Sequence, residues 1–326
     1  MDQLITKYLA SITLGEAQAY KNITVFPLFT STNHGPEYLT LKEAMESGTF
    51  TVTEVSEGGT VPELKVINRG DKAALLLDGE ELSGAKQNRV LNATILIAAH
   101  SEVIIPVSCT EHGRWSYTSD HFADSDTMMA YRIKLENVRN VAVNLKRGMR
   151  YHGDQGAVWD GIAEMADEAN VHSRTGAMKD VFETRKNDLD AFLKTIPPYP
   201  HQKGILVFIN GKPAGMDIVS SESACATIHP KLLKSYAMDA LLDKKRVRKV
   251  KQTDAEHFLR EITECQEQRY KSVGLGWDYR FEAPQKVGSA LVSDDTVIHM
   301  AFFAIEEAEK VGSLSSLSRR RGYRVN

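Results

Sequence analysis

The chain is poor in cysteine and contains no long apolar run. Its three cysteines, Cys109, Cys225 and Cys265, are too few and too widely spaced for a disulfide framework, which predicts a reducing, cytoplasmic setting. No apolar run reaches the ~18 residues needed to cross a bilayer, and the first residues lack the basic region of a signal peptide. These absences argue against a disulfide-stapled secreted protein, and no membrane partner is expected.

An excess of charge of either sign is also missing. The formal net charge of −3 over 326 residues gives no overall attraction to nucleic acid. One basic stretch, residues 243–251, either contacts a phosphate backbone or forms a solvated linker between helices. No aromatic residues interleave with its lysines and arginines for base stacking, which favours the linker. Nucleic acid is therefore not an expected partner.

The usual signatures of a phosphate loop or a metal site are missing too. The sequence contains neither GxxxxGK[ST] nor GxGxxG, and neither CxxC nor HExxH. A metal site assembled from distant histidines is the alternative, but isolated histidines are more often structural or exposed. The candidates for it are His112, His152, His172 and His299. We therefore predict no metal, and the sequence leaves the cofactor unknown.

Short apolar runs separated by turn residues dominate the first third of the chain. About six such runs between residues 23 and 118 predict an antiparallel β-sandwich or barrel. Helical periodicity follows, and then Asn210-Gly211, a strong hairpin signal, lies between two further apolar runs. Pro230 is predicted to open a helix that ends near Leu242. The fold class is therefore α+β, with a second antiparallel hairpin and helix region after the first.

Three regions follow from this pattern. Residues 1–118 are predicted to form a mainly β domain that carries the main polar clusters. Residues 119–310 are predicted to form a helical and α+β region packed on that domain. Residues 311–326 are small, polar and basic, which predicts a flexible tail.

Two dense polar clusters bracket strongly apolar runs. The first cluster is GEELSGAKQNR, residues 79–89, and the second is CTEHGRW, residues 109–115. If Val90–Ala98 and Val103–Cys109 are adjacent strands joined by a hairpin near residues 99–102, both clusters lie at the same end of one sheet. The sequence therefore predicts one site there.

Cys109 is a candidate nucleophile within the second cluster. His112 and Arg114 lie close enough in sequence to favour a thiolate. The alternative is a buried core cysteine, which is the more common state for a residue that ends an apolar strand.

The charged and amide residues of the clusters are candidates for a ligand site. Glu80 and Glu81 are adjacent, so on a strand they point to opposite faces and only one of them can line a given pocket. Arginine offers a planar donor fork for phosphate, and amides read polar edges. The candidate ligand-binding residues are Lys86, Gln87, Asn88, Arg89, Arg114 and Trp115, and the candidate acid/base residues are Glu80, Glu81 and Glu111. The alternative is a rim of mutually paired surface charges.

Five segments together resemble the ARPP family, whose name refers to association with ADP-ribosylglycohydrolases and rhodanese-phosphatases. They are LLLDGEELSGAKQNRVLN, IPVSCTEHGRW, KGILVFINGKPAGMDIV with PKLLKSYAMDALL, and VGLGWDYRF. The resemblance covers about residues 24–305 and implies a link with NAD-derived or ADP-ribose metabolism. Tyr236 and Asp239 match a softer second motif. No catalytic mechanism is carried over with the resemblance.

Two functions are consistent with these residues. The first is a cytoplasmic protein that binds or processes an ADP-ribose-like or NAD-derived nucleotide, with Lys86, Arg89 and Arg114 on the phosphates and Trp115 stacked on a base or ribose. The second is a non-catalytic interaction module that scaffolds partner enzymes. The sequence does not decide whether the protein is an enzyme.

Overall fold

The computed structural model describes residues 1–32, 35–56, 58–243 and 248–305. The described residues form eight α-helices: α1 (Gln3–Ala10), α2 (Leu41–Glu46), α3 (Tyr131–Lys146), α4 (Gln155–Glu168), α5 (Met178–Thr184), α6 (Lys186–Thr195), α7 (Glu222–Leu242) and α8 (Gln252–Ile262). They also form 18 β-strands: β1 (Thr13–Leu14), β2 (Gln18–Tyr20), β3 (Ile23–Phe29), β4 (Tyr38–Thr40), β5 (Phe50–Glu54), β6 (Glu63–Asn68), β7 (Ala73–Leu76), β8 (Glu80–Gly84), β9 (Arg89–Leu91), β10 (Ile95–Ile97), β11 (Ser101–Cys109), β12 (Phe122–Met128), β13 (Gly204–Ile209), β14 (Lys212–Val219), β15 (Gln266–Lys271), β16 (Trp277–Ala283), β17 (Lys286–Ser293) and β18 (Thr296–Ala304). The predicted tail, residues 311–326, lies outside the described residues, as do residues 244–247 of the basic stretch.

A nine-stranded antiparallel sheet forms the centre of the fold. Its strands follow the order β1-β3-β13-β14-β18-β17-β16-β15, and β2 also pairs with β3. The predicted hairpin at Asn210-Gly211 is confirmed, because β13 pairs with β14 and both turn residues have positive φ (53° and 81°). Strand β3 pairs with β13, so an N-terminal strand belongs to the sheet of the C-terminal half. The limits predicted at residues 118 and 310 stay predictions.

Two smaller sheets complete the N-terminal part. A six-stranded sheet has the order β12-β8-β9-β11-β6-β5, and a three-stranded sheet has the order β10-β7-β4. Most pairs are antiparallel, but β4 runs parallel to β7. The α+β fold class, with a strand-rich N-terminal region and helices after it, is confirmed.

The prediction of a hairpin near residues 99–102 is wrong, although part of the first predicted strand does pair with the second. The run Val90–Ala98 is broken at residues 92–94, and its second half, β10, pairs with β7 in the three-stranded sheet. Of the two halves of the run, only the first, β9, pairs with β11, with Cys109 opposite Arg89. Asn92 and Thr94 interrupt the run because their side chains bond across the core, to Ser108 and Asn137 and to Asp78 and His299.

Helix α7 begins eight residues before Pro230, so the predicted start at this proline is wrong. Ser221 caps the helix by accepting a hydrogen bond from the backbone N–H of Ala224. Pro230 lies inside the helix. Proline costs a helix one backbone hydrogen bond, and the burial of thirteen residues of α7 offsets that cost.

The nine-stranded sheet has helices on both faces. Helices α1 and α8 cover one face, where Phe258 and Ile262 of α8 pack with Phe26 and Phe208. Helices α3, α4, α5, α6 and α7 form the larger core on the other face. Burial of each large apolar side chain contributes roughly 1.5–3 kcal/mol, so both faces are held mainly by this term. No helix within the described residues combines the length and the apolar character that a membrane crossing requires.

Candidate functional site

The two polar clusters meet where β9 pairs with the end of β11. Cys109 lies opposite Arg89, and the backbone N–H of Thr110 donates to the carbonyl of Asn88 at 3.0 Å. The side chain of Gln87 donates to the carbonyl of Glu111 at 3.0 Å. The structure therefore brings residues 86–89 and 109–115 to one end of the six-stranded sheet.

Arg114 holds the two clusters together. Its guanidinium donates to the carbonyls of Ala85 (2.6 Å) and Gly84 (3.2 Å) in the first cluster. It also donates to the side chain of Asn88 at 3.2 Å and to the carboxylate of Glu111 at 2.6 Å. The N–H donors of Arg114 are thus directed at protein acceptors, so this arginine has a structural role: it links the two polar clusters.

The carboxylate of Glu111 is also fixed by several hydrogen bonds. Its carboxylate accepts hydrogen bonds from Arg114, from the Thr175 hydroxyl at 2.9 Å and from the backbone N–H of Asn88 at 3.2 Å. Burial pushes the pKa of Glu111 upward, but these three donors outweigh it and lower the pKa below its ordinary value. Glu111 is therefore an ionised structural anchor in the folded protein.

We expect the substitution Arg114→Met to act first on stability. It removes one of the three donors of the Glu111 carboxylate and a donor from the carbonyls of Ala85 and Gly84, and losing a hydrogen bond to a charged group costs roughly 1.5–3 kcal/mol. Urea unfolding should show a lower midpoint with an unchanged slope. An unchanged midpoint would contradict the structural role of Arg114. Arg147→Met, at an exposed arginine, is the matched control.

Arg89 differs from Arg114 because three of its five N–H donors are unused. Its side chain is 0% exposed, and Nη1 donates to Gln87 at 3.1 Å. Its Nε and Nη2 have no hydrogen-bond partner among the described residues, and neither carboxylate oxygen of Glu54 has one. Nη2 and Oε1 of Glu54 are 4.0 Å apart. Two opposite charges thus face each other without a direct hydrogen bond, and each retains binding capacity.

Cys109 lies beneath this pair and is buried. Its thiol donates to Oε1 of Gln87 at 3.2 Å, and the backbone N–H of Glu111 donates to its sulfur at 3.3 Å. Gln155 of α4 fixes the Cys109 backbone by bonding both its N–H (2.7 Å) and its carbonyl (2.8 Å). Burial raises the pKa of the Cys109 thiol despite the charge of Arg89. In this state the residue matches the core alternative that the sequence left open.

An aromatic and cationic rim lies at the surface beside Arg89. The Trp115 ring is 49% exposed, and the Arg89 guanidinium carbon lies 5.7 Å from its centroid. The Lys86 ammonium lies 5.4 Å from the Trp115 centroid and 5.0 Å from that of Tyr117. Lys86 also donates to the carbonyl of Gly58 at 2.7 Å. We call Glu54, Lys86, Arg89, Trp115 and Tyr117 the rim site.

Glu80 and Glu81 lie apart from the rim site, and their contacts are to different elements, as expected of adjacent strand residues. Glu80 accepts from Lys231 of α7 at 2.7 Å, and Lys231 also bonds Asp124 at 2.6 Å. Burial raises the pKa of Glu80 in spite of Lys231. Glu81 accepts from the Thr110 hydroxyl at 2.7 Å, and burial raises its pKa to about 7.

The sequence did not point to Glu54, Tyr117 or Gln155. The signal for Glu54 is the alternation of β5, in which Phe50, Val52 and Glu54 share the buried face, so a carboxylate occupies a core position. No local sequence pattern indicates Tyr117 or Gln155. The turn after Trp115 and helix α4 lie beside the site only because of the tertiary fold.

A second polar group lies in the core, between the nine-stranded sheet and helices α3 and α7. Lys134 binds Asp217 at 2.8 Å and lies 3.7 Å from Asp78. Tyr236 donates to Asp217 at 2.7 Å, and His299 lies 3.5 Å from the same carboxylate. All five side chains are buried. Burial alone would raise the pKa of Asp217, but Lys134 and His299 hold it well below its usual range.

No group of three or more histidine, cysteine, aspartate or glutamate side chains in the described part of the chain is arranged to hold a metal ion. The fold and the rim site define an α+β protein with a polar site at one sheet end. The chain belongs to the ARPP-1 family, described as the ARG and Rhodanese-Phosphatase-superfamily-associated Protein domain, whose model matches residues 11–303. The resemblance drawn from the sequence is thereby confirmed. Comparisons with curated proteins and with solved structures gave no match.

Proposed function

We propose that the protein binds an ADP-ribose-like or NAD-derived nucleotide at the rim site, in the cytoplasm. The observation that carries the proposal is the partly unsatisfied Arg89 beside Glu54 under the exposed Trp115. Buried polar groups without partners are rare in folded proteins, and a ligand is one of the reasons for them. The association of the family with ADP-ribosylglycohydrolases supports this class of ligand.

Each part of such a nucleotide has a matching group. Lys86 supplies positive charge for the phosphates at the surface. Arg89 is 0% exposed, so its donor fork, which matches phosphate oxygens, joins Lys86 once the buried Arg89–Glu54 pair opens to the surface. Trp115 and Tyr117 supply faces on which a base stacks. Glu54 supplies acceptors for ribose hydroxyls. Glu111 and Glu80 are less suited to this role, because Arg114 and Lys231 already occupy them.

Glu81 is the group whose acidity suits a chemical step. A carboxyl with a pKa of about 7 exchanges protons readily at neutral pH, as a general acid or base requires. Its side chain is 0% exposed, so a role in catalysis requires that the Thr110 and Glu81 region open towards the rim site. We therefore propose binding as the primary function and leave processing as its extension.

We expect Trp115→Ala to weaken nucleotide binding. Stacking of a base on an aromatic ring contributes about 1–3 kcal/mol, so the dissociation constant for ADP-ribose should rise roughly 5- to 150-fold. Isothermal titration calorimetry with ADP-ribose, NAD and AMP measures it. Trp277→Ala is the matched control, since Trp277 is also exposed (38%) and carries an arginine 3.8 Å from its ring.

Lys86→Met separates charge from stacking at the same site. Loss of this cation should weaken ADP-ribose more than adenosine, and the difference should shrink at high salt because exposed charges are screened. The absence of binding by any of the nucleotides to the unmodified protein would refute the proposal. Equal losses in the Trp115 and Trp277 variants would refute the rim site.

A non-catalytic scaffold for partner enzymes is the second candidate. It is supported by large apolar side chains that lie exposed near the rim site and elsewhere, including Trp115, Tyr117 and Met149. In this case Trp115→Ala should abolish capture of a partner enzyme while nucleotides bind neither form. Calorimetry and pull-down with the same variant therefore separate the two functions.

A further inference from the structure

A small cleft lies beside the middle of β11, away from the rim site. Its walls come from β6, from the middle of β11 and from the loop between α3 and α4. Its volume is about 120 Å³, well below the ~300 Å³ or more of sites for drug-sized ligands. A nucleotide does not fit such a volume, so the cleft selects a much smaller molecule. The lining residues are Glu63, Ile104, Ile105, Pro106, Arg150, Tyr151, His152 and Val273.

Charged groups of both signs converge on this cleft. Within the described part of the chain, the side chains of Glu63, Arg150 and His152 form no hydrogen bond or ion pair with the protein. Charged side chains at a protein surface commonly remain solvated. Here, however, a carboxylate, a guanidinium and an imidazole share the wall of one concavity. A ligand that carries both a negative and a positive group is matched to such a set.

The backbone that carries Arg150 is strained and held in place. Arg150 adopts a left-handed conformation (φ 55°), which residues with a Cβ seldom adopt. Asn144 fixes the loop by donating to the carbonyl of His152 at 2.7 Å, and the Tyr151 hydroxyl donates to the carbonyl of Lys271 at 2.9 Å. Strained residues that are held in this way concentrate at ligand clamps.

The remaining lining is apolar and rigid. Ile105 is buried, and Pro106, whose ring fixes φ, is paired across the strands with Glu63. The ring of Tyr151 forms part of the lining and is backed by the buried Arg280, whose guanidinium carbon lies 5.7 Å from the ring centroid. Ile104 is 40% exposed, so part of its apolar surface remains open at the strand. This lining suits a short aliphatic group.

We propose that the cleft binds a small aliphatic α-amino acid. Arg150, with His152, binds the carboxylate, Glu63 binds the ammonium group, and Ile105, Pro106 and Val273 contact the aliphatic side chain. The site is separate from the rim site and does not rest on nucleotide binding. It would give the protein a second ligand.

The test is calorimetry of the full chain with L-leucine and L-valine. Isovalerate, which has only the carboxylate, and isobutylamine, which has only the ammonium, are the comparison ligands. We expect both amino acids to bind more tightly than either comparison ligand. Methyl NMR should show shifts confined to Ile104, Ile105 and Val273, which identifies the cleft.

The variants separate recognition from general effects of charge. Arg150→Met and Glu63→Gln should each weaken L-leucine binding by roughly tenfold or more, because each removes a charge-assisted hydrogen bond. Arg147→Met, on the same loop but outside the cleft, and Glu164→Gln, exposed on α4, should change nothing. The proposal is overturned if neither amino acid binds at millimolar concentration, if isovalerate binds as well as L-leucine, or if the variants do not weaken binding.

Discussion

The variant Glu81→Gln is expected to be more stable than the unmodified protein at pH 8 and to match it near pH 4. The carboxyl of Glu81 is buried, and one of its oxygens has no hydrogen-bond partner among the described residues. Burial raises its pKa to about 7 from an ordinary value of 4.5. Each pH unit corresponds to about 1.4 kcal/mol, so ionising Glu81 in the folded state costs roughly 3 kcal/mol.

The direction of the pH dependence follows from that difference. Because the pKa is higher in the folded state, the contribution of Glu81 is fully present below the unfolded pKa and is lost as the pH rises through about 7. Glutamine cannot ionise, so the variant lacks this loss and gains up to roughly 3 kcal/mol at pH 8.

Urea unfolding at a series of pH values between 4 and 8 measures the effect. The free energy of unfolding of the unmodified protein is subtracted from that of the variant at each pH, because other groups titrate equally in both proteins. A constant difference across the series would contradict the raised pKa. Glu164→Gln, at an exposed glutamate, should give no pH-dependent difference. If Glu81 is also a catalytic acid or base, Glu81→Gln should lose catalytic activity while it gains stability.

The substitution Lys134→Met is expected to cause the largest loss of stability. Lys134 is buried, lies 2.8 Å from Asp217 and 3.7 Å from Asp78, and is the nearest cation to both. Removing one partner of a buried ion pair leaves an uncompensated charge and costs about 3–5 kcal/mol. The free energy of unfolding should fall by this amount, and the variant can be partly unfolded at room temperature.

A second substitution tests the reason for the loss. Lys134→Met combined with Asp217→Asn removes both charges, so it should recover part of the stability lost in the single variant. Lys65→Met is the matched control, because Lys65 and Glu102 form an ion pair at 3.6 Å whose side chains are 31% and 57% exposed, and such surface pairs contribute about 0–1 kcal/mol. Equal losses in Lys65→Met and Lys134→Met would contradict the role of burial.

The loss of stability at low pH provides an independent test of the ion pair between Lys134 and Asp217. Lys134 holds the pKa of Asp217 below its usual range, so Asp217 contributes stability that is present above the unfolded pKa and is lost as the pH falls. Without Lys134 this contribution shrinks, because His299 alone remains beside Asp217. The single variant should therefore show a smaller loss of stability on acidification than the unmodified protein.

The sequence predicted the elements of the site better than their arrangement. Local patterns were sufficient for the Asn210-Gly211 hairpin and for the fold class, because turn chemistry and strand periodicity are local properties. They were insufficient for residues 90–98, where an apolar run looks like one strand. In the structure Asn92 and Thr94 bond across the core and divide the run between two sheets.

The same limit applies to the roles of the charged residues. Sequence placed Arg89 and Arg114 side by side as candidates for phosphate binding. Only the fold distinguishes them, because carbonyls from another loop satisfy Arg114 while donors of Arg89 remain unused. Glu54 joins Arg89 from a strand 35 positions earlier, a contact that no local spacing encodes.

The pairing of β3 with β13 has a consequence for synthesis of the chain. On one edge of β3, residues 23–29 find their backbone partners about 180 positions later, at residues 204–209, while β1 and β2 pair with the other edge. At roughly 5–20 residues per second on a ribosome, the segment ITVFPLF waits on the order of 10 to 35 s for its partner. An apolar strand that is exposed for so long invites association with other nascent chains. Pro27, in the middle of this strand, lacks a backbone N–H donor, and we expect it to weaken that association until β13 emerges.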